Sequence, residues 1–117
     1  MADSSTTVKQ WRAEHKFARI SPRKARLVID MIRNQHVNDA QNILRFTNKK
    51  ASQLIDKVLK SAIANASEAE ADVRSLYVSE AYIDQGPYFR RWRPKDRGRA
   101  HQILKRMSHI KVVVQER

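Results

Sequence analysis

The sequence has no cysteine, only two glycines and three prolines, and no long apolar run. Without cysteine there can be no disulfide, thiolate metal site or cysteine nucleophile. Two separate glycines, Gly86 and Gly98, are too few for a glycine-rich phosphate-binding loop. No stretch approaches the roughly 20 apolar residues that cross a bilayer, and the polar first ten residues contain no apolar signal core. We therefore expect a cytoplasmic protein that neither spans a membrane nor is exported.

The residues that usually perform catalysis or bind metals are scattered. The four histidines are His15, His36, His101 and His109, and none stands at i, i+4 from another beside a glutamate. Ser108 and His109 are neighbours in sequence, but nothing supplies the positioned acid that a catalytic triad needs. The sequence predicts no enzyme, no metal and no cofactor. A hydrolase that uses His109 is kept as an alternative, to be tested by His109→Ala.

Charge is the most informative feature of the composition. The 117 residues, enough for one domain, carry 24 Lys and Arg against 12 Asp and Glu, a net charge of +12. Residues 87–106 hold eight of these basic residues and one acid, a surplus of +7 in a sixth of the chain. The eight are Arg90, Arg91, Arg93, Lys95, Arg97, Arg99, Lys105 and Arg106. Such self-repulsion calls for a polyanionic partner, either nucleic acid or an acidic membrane surface.

Periodicity predicts a strand and two helices in the first half of the chain. Apolar and aromatic side chains at alternate positions over 11–17 predict a short strand. Ser21 is expected to cap a helix with Pro22 in its first turn, and Asn34 to stop it in a left-handed conformation. The apolar face of this helix would be Ala25, Val28, Ile29 and Ile32. A second helix, capped by Asn38, would end near Phe46.

The third predicted helix has the clearest pattern. Thr47 or Asn48 would cap it, and an apolar stripe follows over about five turns. The stripe consists of Ala51, Leu54, Ile55, Val58, Leu59, Ala62, Ile63 and Ala66. The opposite face holds Lys49, Lys50, Gln53, Lys57 and Lys60.

The basic segment lies between two predicted strands. Leu76, Val78 and Tyr82 precede it, and Ile110, Val112 and Val114 follow it, each set at the two-residue period of a half-buried strand. We therefore predict an α+β fold, in which a small three-stranded antiparallel sheet packs on three helices and a long β-hairpin protrudes. Residues 1–10 would be a flexible extension and 11–117 one domain, with the hairpin over 85–105. Pro94 and Gly98 would bracket its reversal.

The basic segment also contains aromatic residues. Tyr88, Phe89 and Trp92 alternate with arginines instead of forming a separate apolar face, which argues against a membrane-surface helix. Arginine binds phosphates with two parallel hydrogen bonds, and aromatic rings stack on unpaired bases, so the pattern favours irregular RNA over duplex DNA. Two plainer interpretations stay open: the charges form a solvated face, and Trp92 packs across the hairpin.

Several segments together resemble a known family. They are 21–28 (SPRKARLV), 46–51 (FTNKKA), 61–66 (SAIANA), 84–87 (DQGP), 98–100 (GRA) and 105–114 (KRMSHIKVVV). From about Lys16 to the C-terminus the chain resembles the bacterial form of the L22 family of large-subunit ribosomal proteins. The block from Gly98 to Ile110, with its fixed spacing, is the most specific part of the likeness.

The resemblance implies a structural protein that binds 23S rRNA, aids subunit assembly and lines the nascent-peptide exit tunnel with its hairpin tip. Implied partners are several domains of the rRNA, neighbouring proteins including ribosomal protein L4 near the tunnel constriction, and the nascent peptide; no homo-oligomer is expected. The residues expected to bind rRNA are Arg19, Arg23, Lys24, Arg26, Lys49, Lys50, the eight basic residues of 87–106 and His109. The expected tunnel-lining tip is Phe89, Arg90, Arg91, Trp92, Arg93, Lys95, Asp96, Arg97, Gly98 and Ala100.

Three positions depart from the family pattern. Trp92 is bulkier than the expected aliphatic residue, Asp96 puts an acid within the basic tip, and Asn34 stands where Gly is common. An alternative of another class is a free RNA chaperone or nucleoid-type protein that acts without a ribosome. Co-sedimentation with large subunits through high salt would separate the two.

Overall fold

The computed structural model describes residues 9–94 and 100–116, and of 88–94 and 100–105 it describes the backbone alone. Within these residues there are three strands, three α-helices and one short 3₁₀ turn. In chain order they are β1 (Gln10–Ala18), α1 (Pro22–Ile29), α2 (Val37–Phe46), α3 (Lys50–Glu68), the 3₁₀ turn (Val73–Ser75), β2 (Leu76–Pro94) and β3 (Ala100–Glu116). The predicted α+β class is confirmed.

The three strands form one antiparallel sheet in the order β1-β3-β2. Its central strand, β3, places Ile110, Val112 and Val114 in the core at alternate positions, as predicted, and all three are fully buried. The helices cover this face with a continuous apolar layer. The fully buried helical side chains include Val28, Ile29, Ile55 and Leu59, and Ile32 in the turn after α1 is fully buried as well. The other face of the sheet is not covered by any described helix, and we call it the open face.

Helix α3 follows its predicted stripe closely. Ala51, Ile55, Val58, Leu59, Ala62 and Ala66 are buried, while Leu54 and Ile63 lie at the margin of the core. The helix spans 19 residues and about five turns, because the stripe repeats at helical spacing without interruption.

The helix starts lie close to their predicted positions, but the capping groups differ. Ser21 precedes α1 without a capping hydrogen bond from its side chain. The N-cap of α2 is His36, whose Nδ1 accepts from the Asn38 amide, so the predicted Asn38 cap is wrong. The N-cap of α3 is Lys49 instead of Thr47 or Asn48. The Ser52 Oγ in the first turn lies 2.6 Å from both the Thr47 and the Lys49 carbonyl oxygens, and its single proton can be donated to either. Asn34 has the predicted left-handed conformation, with a φ of 66°, but α1 already ends at Ile29, so the prediction that Asn34 stops the helix is wrong.

A bulge in β2 changes which side chains face the core. The register shifts between Val78 and Glu80, and an extra residue in one strand exchanges the two faces beyond it. Ala81 and Ile83 are therefore buried, and Tyr82 is 41% exposed on the open face. The prediction that Tyr82 continues the buried set of Leu76 and Val78 is wrong for this reason.

The outer edge of β2 is closed by groups from the α1 region. The Val78 amide donates to Gln35 O and its carbonyl accepts from the Asn34 amide, both at 2.8 Å. Further along, Arg33 donates to the Ala81 carbonyl at 2.6 and 3.2 Å, and Arg26 donates to the Ile83 carbonyl at 3.1 Å. An edge strand offers unpaired groups to other chains, so these contacts protect β2 from edge-to-edge association.

We expect Arg33→Met to destabilise the protein by about 1–2 kcal/mol, because the variant keeps the aliphatic stem but leaves the part-buried Ala81 carbonyl without its charged donor. Arg23→Met in α1 is the matched control, since Arg23 is exposed, and it should stay within about 0.5 kcal/mol of the parent. Urea unfolding of both variants measures the difference. Equal stability of the two would show that the edge contact contributes nothing.

Strands β2 and β3 continue together after β1 has ended. The last pair of β1 with β3 is Ala18 with Ser108, whereas β2 and β3 stay paired from Tyr88 and Arg106 as far as Pro94 and Ala100. The molecule is accordingly elongated, with a radius of gyration of 18.0 Å where a compact chain of this length has about 13 Å. The predicted reversal between Pro94 and Gly98 lies in residues 95–99, outside the described residues.

Candidate nucleic-acid interface

The direction of α3 relative to β1 decides where the helical cations lie. Asn65, near the end of α3, donates to the Arg12 carbonyl at 2.9 Å, and Lys57 and Ser61 line a cleft with Glu14 and Lys16. Helix α3 is therefore antiparallel to β1, and its first turn lies about 10 Å beyond Lys57 at 1.5 Å per residue. This places Lys49 and Lys50 near the end of the body at which β1 stops and the hairpin leaves. We call this the hairpin end.

The cations of the β1–α1 connection lie at the same end. Ser108, the last β3 residue paired with β1, is buried and donates to the Ile20 carbonyl at 2.6 Å, which fixes the connection at the base of the hairpin. Arg19 and the first-turn residues Arg23 and Lys24 are exposed there. No ion pair among the described residues involves these three cations or Lys49 and Lys50.

Arg26 and Arg106 extend this cationic region, in different ways. Arg26 is exposed, but its Nη2 donates to the Ile83 carbonyl at the edge of β2, so its role is partly structural. Arg106 is exposed on β3, paired with Tyr88 just beyond the body. Of the other predicted sites, residues 95–99 lie outside the described residues. For Phe89, Arg90, Arg91, Trp92, Arg93, Ala100 and Lys105 the structure describes the backbone only.

The opposite end of the body is acidic. Helix α3 ends at Glu68, and Glu70 and Asp72 follow it. The Asp72 amide donates to Glu116 Oε1 at 3.0 Å at the end of β3. Arg74 and Lys9 are the described cations nearby. Charge is thus segregated along the long axis, with positive side chains collected where the hairpin leaves and negative ones at the far end.

The open face of the sheet is nearly neutralised by internal pairs. Lys111 Nζ lies 3.4 Å from Asp84 Oδ2, 3.9 Å from Glu14 Oε1 and 5.6 Å from the centre of the Tyr82 ring. The hydrogen bond to Asp84 and then the charge of Glu14 raise the pKa of Lys111 above its ordinary value. The stabilisation that charged Lys111 gives the fold is therefore complete at a pH below the ordinary lysine pKa. It is lost as the pH rises through the raised pKa of Lys111. Lys111 is therefore paired with carboxylates of the sheet and is not free to bind phosphate.

His109 lies at the base of the hairpin on β3. Its Nδ1 accepts a hydrogen bond from the Phe17 amide at 3.1 Å, and the two rings meet edge to face with centres 5.0 Å apart. The Ser108 hydroxyl is bound to Ile20 instead of to His109. The sequence did not indicate Phe17 as a site residue, because its alternation with Trp11 and Ala13 suggested an ordinary strand position.

Comparison with known proteins identifies the family. The model of the family described as "Ribosomal protein L22p/L17e" matches residues 13–115. The chain belongs to this family. It is 49% identical over 107 residues to the large ribosomal subunit protein uL22 of Syntrophobacter fumaroxidans and 50% identical over 107 residues to that of Syntrophus aciditrophicus. Each alignment covers 91% of the chain and 97% of the relative.

Membership of the L22 family confirms the resemblance seen in the sequence. It makes the chain a structural ribosomal protein of the cytoplasmic large subunit. Among the described residues no helix is long and apolar enough to cross a membrane, and no three residues of the metal-ligating types form a cluster.

Proposed function

We propose that the chain binds 23S rRNA through its hairpin and the hairpin end of its body, and that this binding aids assembly of the large subunit. The supporting observation is the segregation of charge: exposed, unpaired cations lie at the end from which the two long strands leave, and acids lie at the other end. A polyanion that surrounds the hairpin would neutralise the first end and leave the second in solvent. The RNA contacts of this proposal are the 15 residues expected from the sequence, including Arg19, Lys50 and Arg106.

We further propose that the tip, from Phe89 to Ala100, lines the exit tunnel beside ribosomal protein L4 and contacts the nascent peptide. The support is the family resemblance together with the reach of the paired strands. Seven pairs, from Tyr88 with Arg106 to Pro94 with Ala100, extend beyond the body, which corresponds to about 20 Å at 3.3 Å per residue. A hairpin of this length is marginally stable alone in water, so rRNA on several sides would stabilise it.

Replacing Arg90, Arg91 and Arg93 together by Gln should weaken binding to a 23S rRNA transcript and flatten its salt dependence. Each lost phosphate contact removes about 0.7–0.9 from the slope of log K against log salt, so three losses should remove about two to three. Filter binding over a range of salt concentrations measures the slope.

The matched control replaces three cations that lie away from the hairpin end or are already paired, namely Lys9, Lys60 and Arg74. It changes the net charge by the same amount and should alter the slope by less than about one. Equal slopes for the two triple variants would mean that net charge alone attracts the RNA, and the proposed interface would be wrong.

A further inference from the structure

Phe17 has a backbone conformation that is unusual for a bulky residue. Its φ is 60°, in the left-handed region, and it lies in the register shift of β1 between His15 and Ala18. Side chains other than Gly, Asn and Asp are uncommon there because of steric strain, and such strain persists only where the surrounding structure holds it. The shift turns Phe17 out of the core-facing row of Trp11, Ala13 and His15.

Contacts from the two other strands hold this conformation. His109 on β3 accepts the Phe17 amide proton and packs its ring against the Phe17 ring with an interplanar angle of 87°. Gly86 on β2 lies against the imidazole, and a Cβ at this position would stand 3.3 Å from its Cε1 and Nε2 atoms. The glycine therefore leaves room for His109, and His109 fixes Phe17.

The ring that is fixed in this way is not buried. Phe17 remains 53% exposed, so the hydrogen bond and the ring contact orient an apolar surface toward solvent. Burial of the ring therefore does not account for the strain, because about half of the side chain gains nothing from the core.

The chain on either side of Phe17 is rich in cations. From His15 to Ile29 the chain carries Lys16, Arg19, Arg23, Lys24 and Arg26 and no acid. Lys16 and Arg19, on either side of Phe17, are exposed and take part in no ion pair among the described residues. An exposed aromatic ring flanked by free cations is the arrangement that binds single-stranded nucleic acid, with the ring on a base and the cations on the backbone.

Two other exposed aromatic rings provide a comparison. Tyr82 is 41% exposed on the open face, where Asp84 and Lys111 neutralise each other. Phe46 is 83% exposed at the end of α2, and no ring contact among the described residues orients it. Of the three, Phe17 alone combines a fixed ring with unpaired cations.

We propose that Phe17 is a preorganised stacking platform for one unpaired base of the rRNA, with Lys16 and Arg19 on the adjacent phosphates. Toward Phe17, His109 is a positioning residue that holds the ring. This inference rests on the proposed rRNA binding and adds a contact at the base of the hairpin, outside the basic segment 87–106.

The test compares Phe17→Leu with the control Tyr82→Leu in binding to a 23S rRNA transcript. Phe17→Leu should weaken binding about fivefold to a hundredfold, as is typical when one stacked base loses its aromatic partner. It should leave the salt slope unchanged because no charge is removed. Phe17→Trp should restore the affinity, and Tyr82→Leu should bind like the parent.

Ultraviolet cross-linking of the unaltered protein to the transcript provides a second measurement that does not depend on how the variants fold. A cross-linked nucleotide on Phe17 is expected. His109→Ala should reduce this cross-link, while His109→Asn, whose side-chain oxygen can accept the Phe17 amide proton, should restore part of it. Salt-dependent binding with neither an effect of Phe17→Leu nor a cross-link at Phe17 would overturn this inference alone. Absence of salt-dependent binding by the unaltered protein would overturn the proposed function as well.

Discussion

Replacing residues 89–105 by an Asn-Gly turn should give a folded body that binds 23S rRNA at least about a hundredfold more weakly than the full chain at 0.1–0.2 M salt. Tyr88 and Arg106 are register partners, and a two-residue turn of this type joins paired antiparallel strands with the right twist. The deletion removes seven cations and Asp96, so the net charge falls from +12 to +6. Loss of about six phosphate contacts should lower the binding constant by several factors of ten, because neutralisation of phosphates by Lys and Arg supplies most of the affinity for RNA.

The body should survive this deletion because it owes its stability to other residues. The core cluster of the described residues runs from Ala18 to Ile83 and from Ile110 to Val114. Removing seven mutually repelling cations also reduces the electrostatic repulsion that destabilises the folded state. We expect the melting temperature to change by no more than a few degrees, measured by circular dichroism. An unfolded body would show that the hairpin is needed for the fold, and unchanged RNA affinity would show that the body carries the binding.

The sequence predicted the elements whose burial repeats regularly. Ile55 and Leu59 in α3, and Ile110 and Val112 in β3, lie at the spacing of one helical face and one strand face, and all four are fully buried. Such periods follow from backbone geometry alone, so the pattern indicates a buried face without knowledge of its partner.

Features that depend on contacts between distant residues were not predictable in this way. The Arg33 guanidinium meets the Ala81 carbonyl across 48 positions of sequence, and nothing local distinguishes it from other surface arginines. The bulge before Glu80 likewise comes from pairing with β3, and it moved Tyr82 to the opposite face from the one predicted. His36 caps α2 because its ring can accept from the Asn38 amide, a role for which histidine is not a preferred residue.

The same distinction between local patterns and distant contacts applies to the candidate site. Charge counting indicated the basic segment and the cations near Pro22, since an excess of lysine and arginine is visible in composition. The gathering of Lys50 with Arg19 at one end required the direction of α3 relative to β1, which no single segment encodes. The role of Phe17 required the left-handed residue in β1 and the imidazole from β3, two features that the alternating pattern concealed.

The largest effect on stability is expected for Ile29→Ala in α1. The Ile29 side chain is fully buried in the core cluster, and truncation of a buried isoleucine costs about 2–5 kcal/mol in lost transfer energy and cavity formation. Native domains are stable by only about 5–15 kcal/mol, so this single change would remove a large part of the total. Urea unfolding should show a lower midpoint with an unchanged m-value.

Leu27→Ala, two residues away in the same helix, is the matched control. Leu27 is 62% exposed, so truncation should change the free energy of unfolding by no more than about 0.5 kcal/mol. The pair isolates burial from helix propensity, because both variants place alanine in α1 and gain similarly from it. A cost for Leu27→Ala as large as that for Ile29→Ala would mean that the helix packs on the sheet in another rotation. The cationic first turn, Arg23 and Lys24, would then also face another way, and the interface at the hairpin end would have to be redrawn.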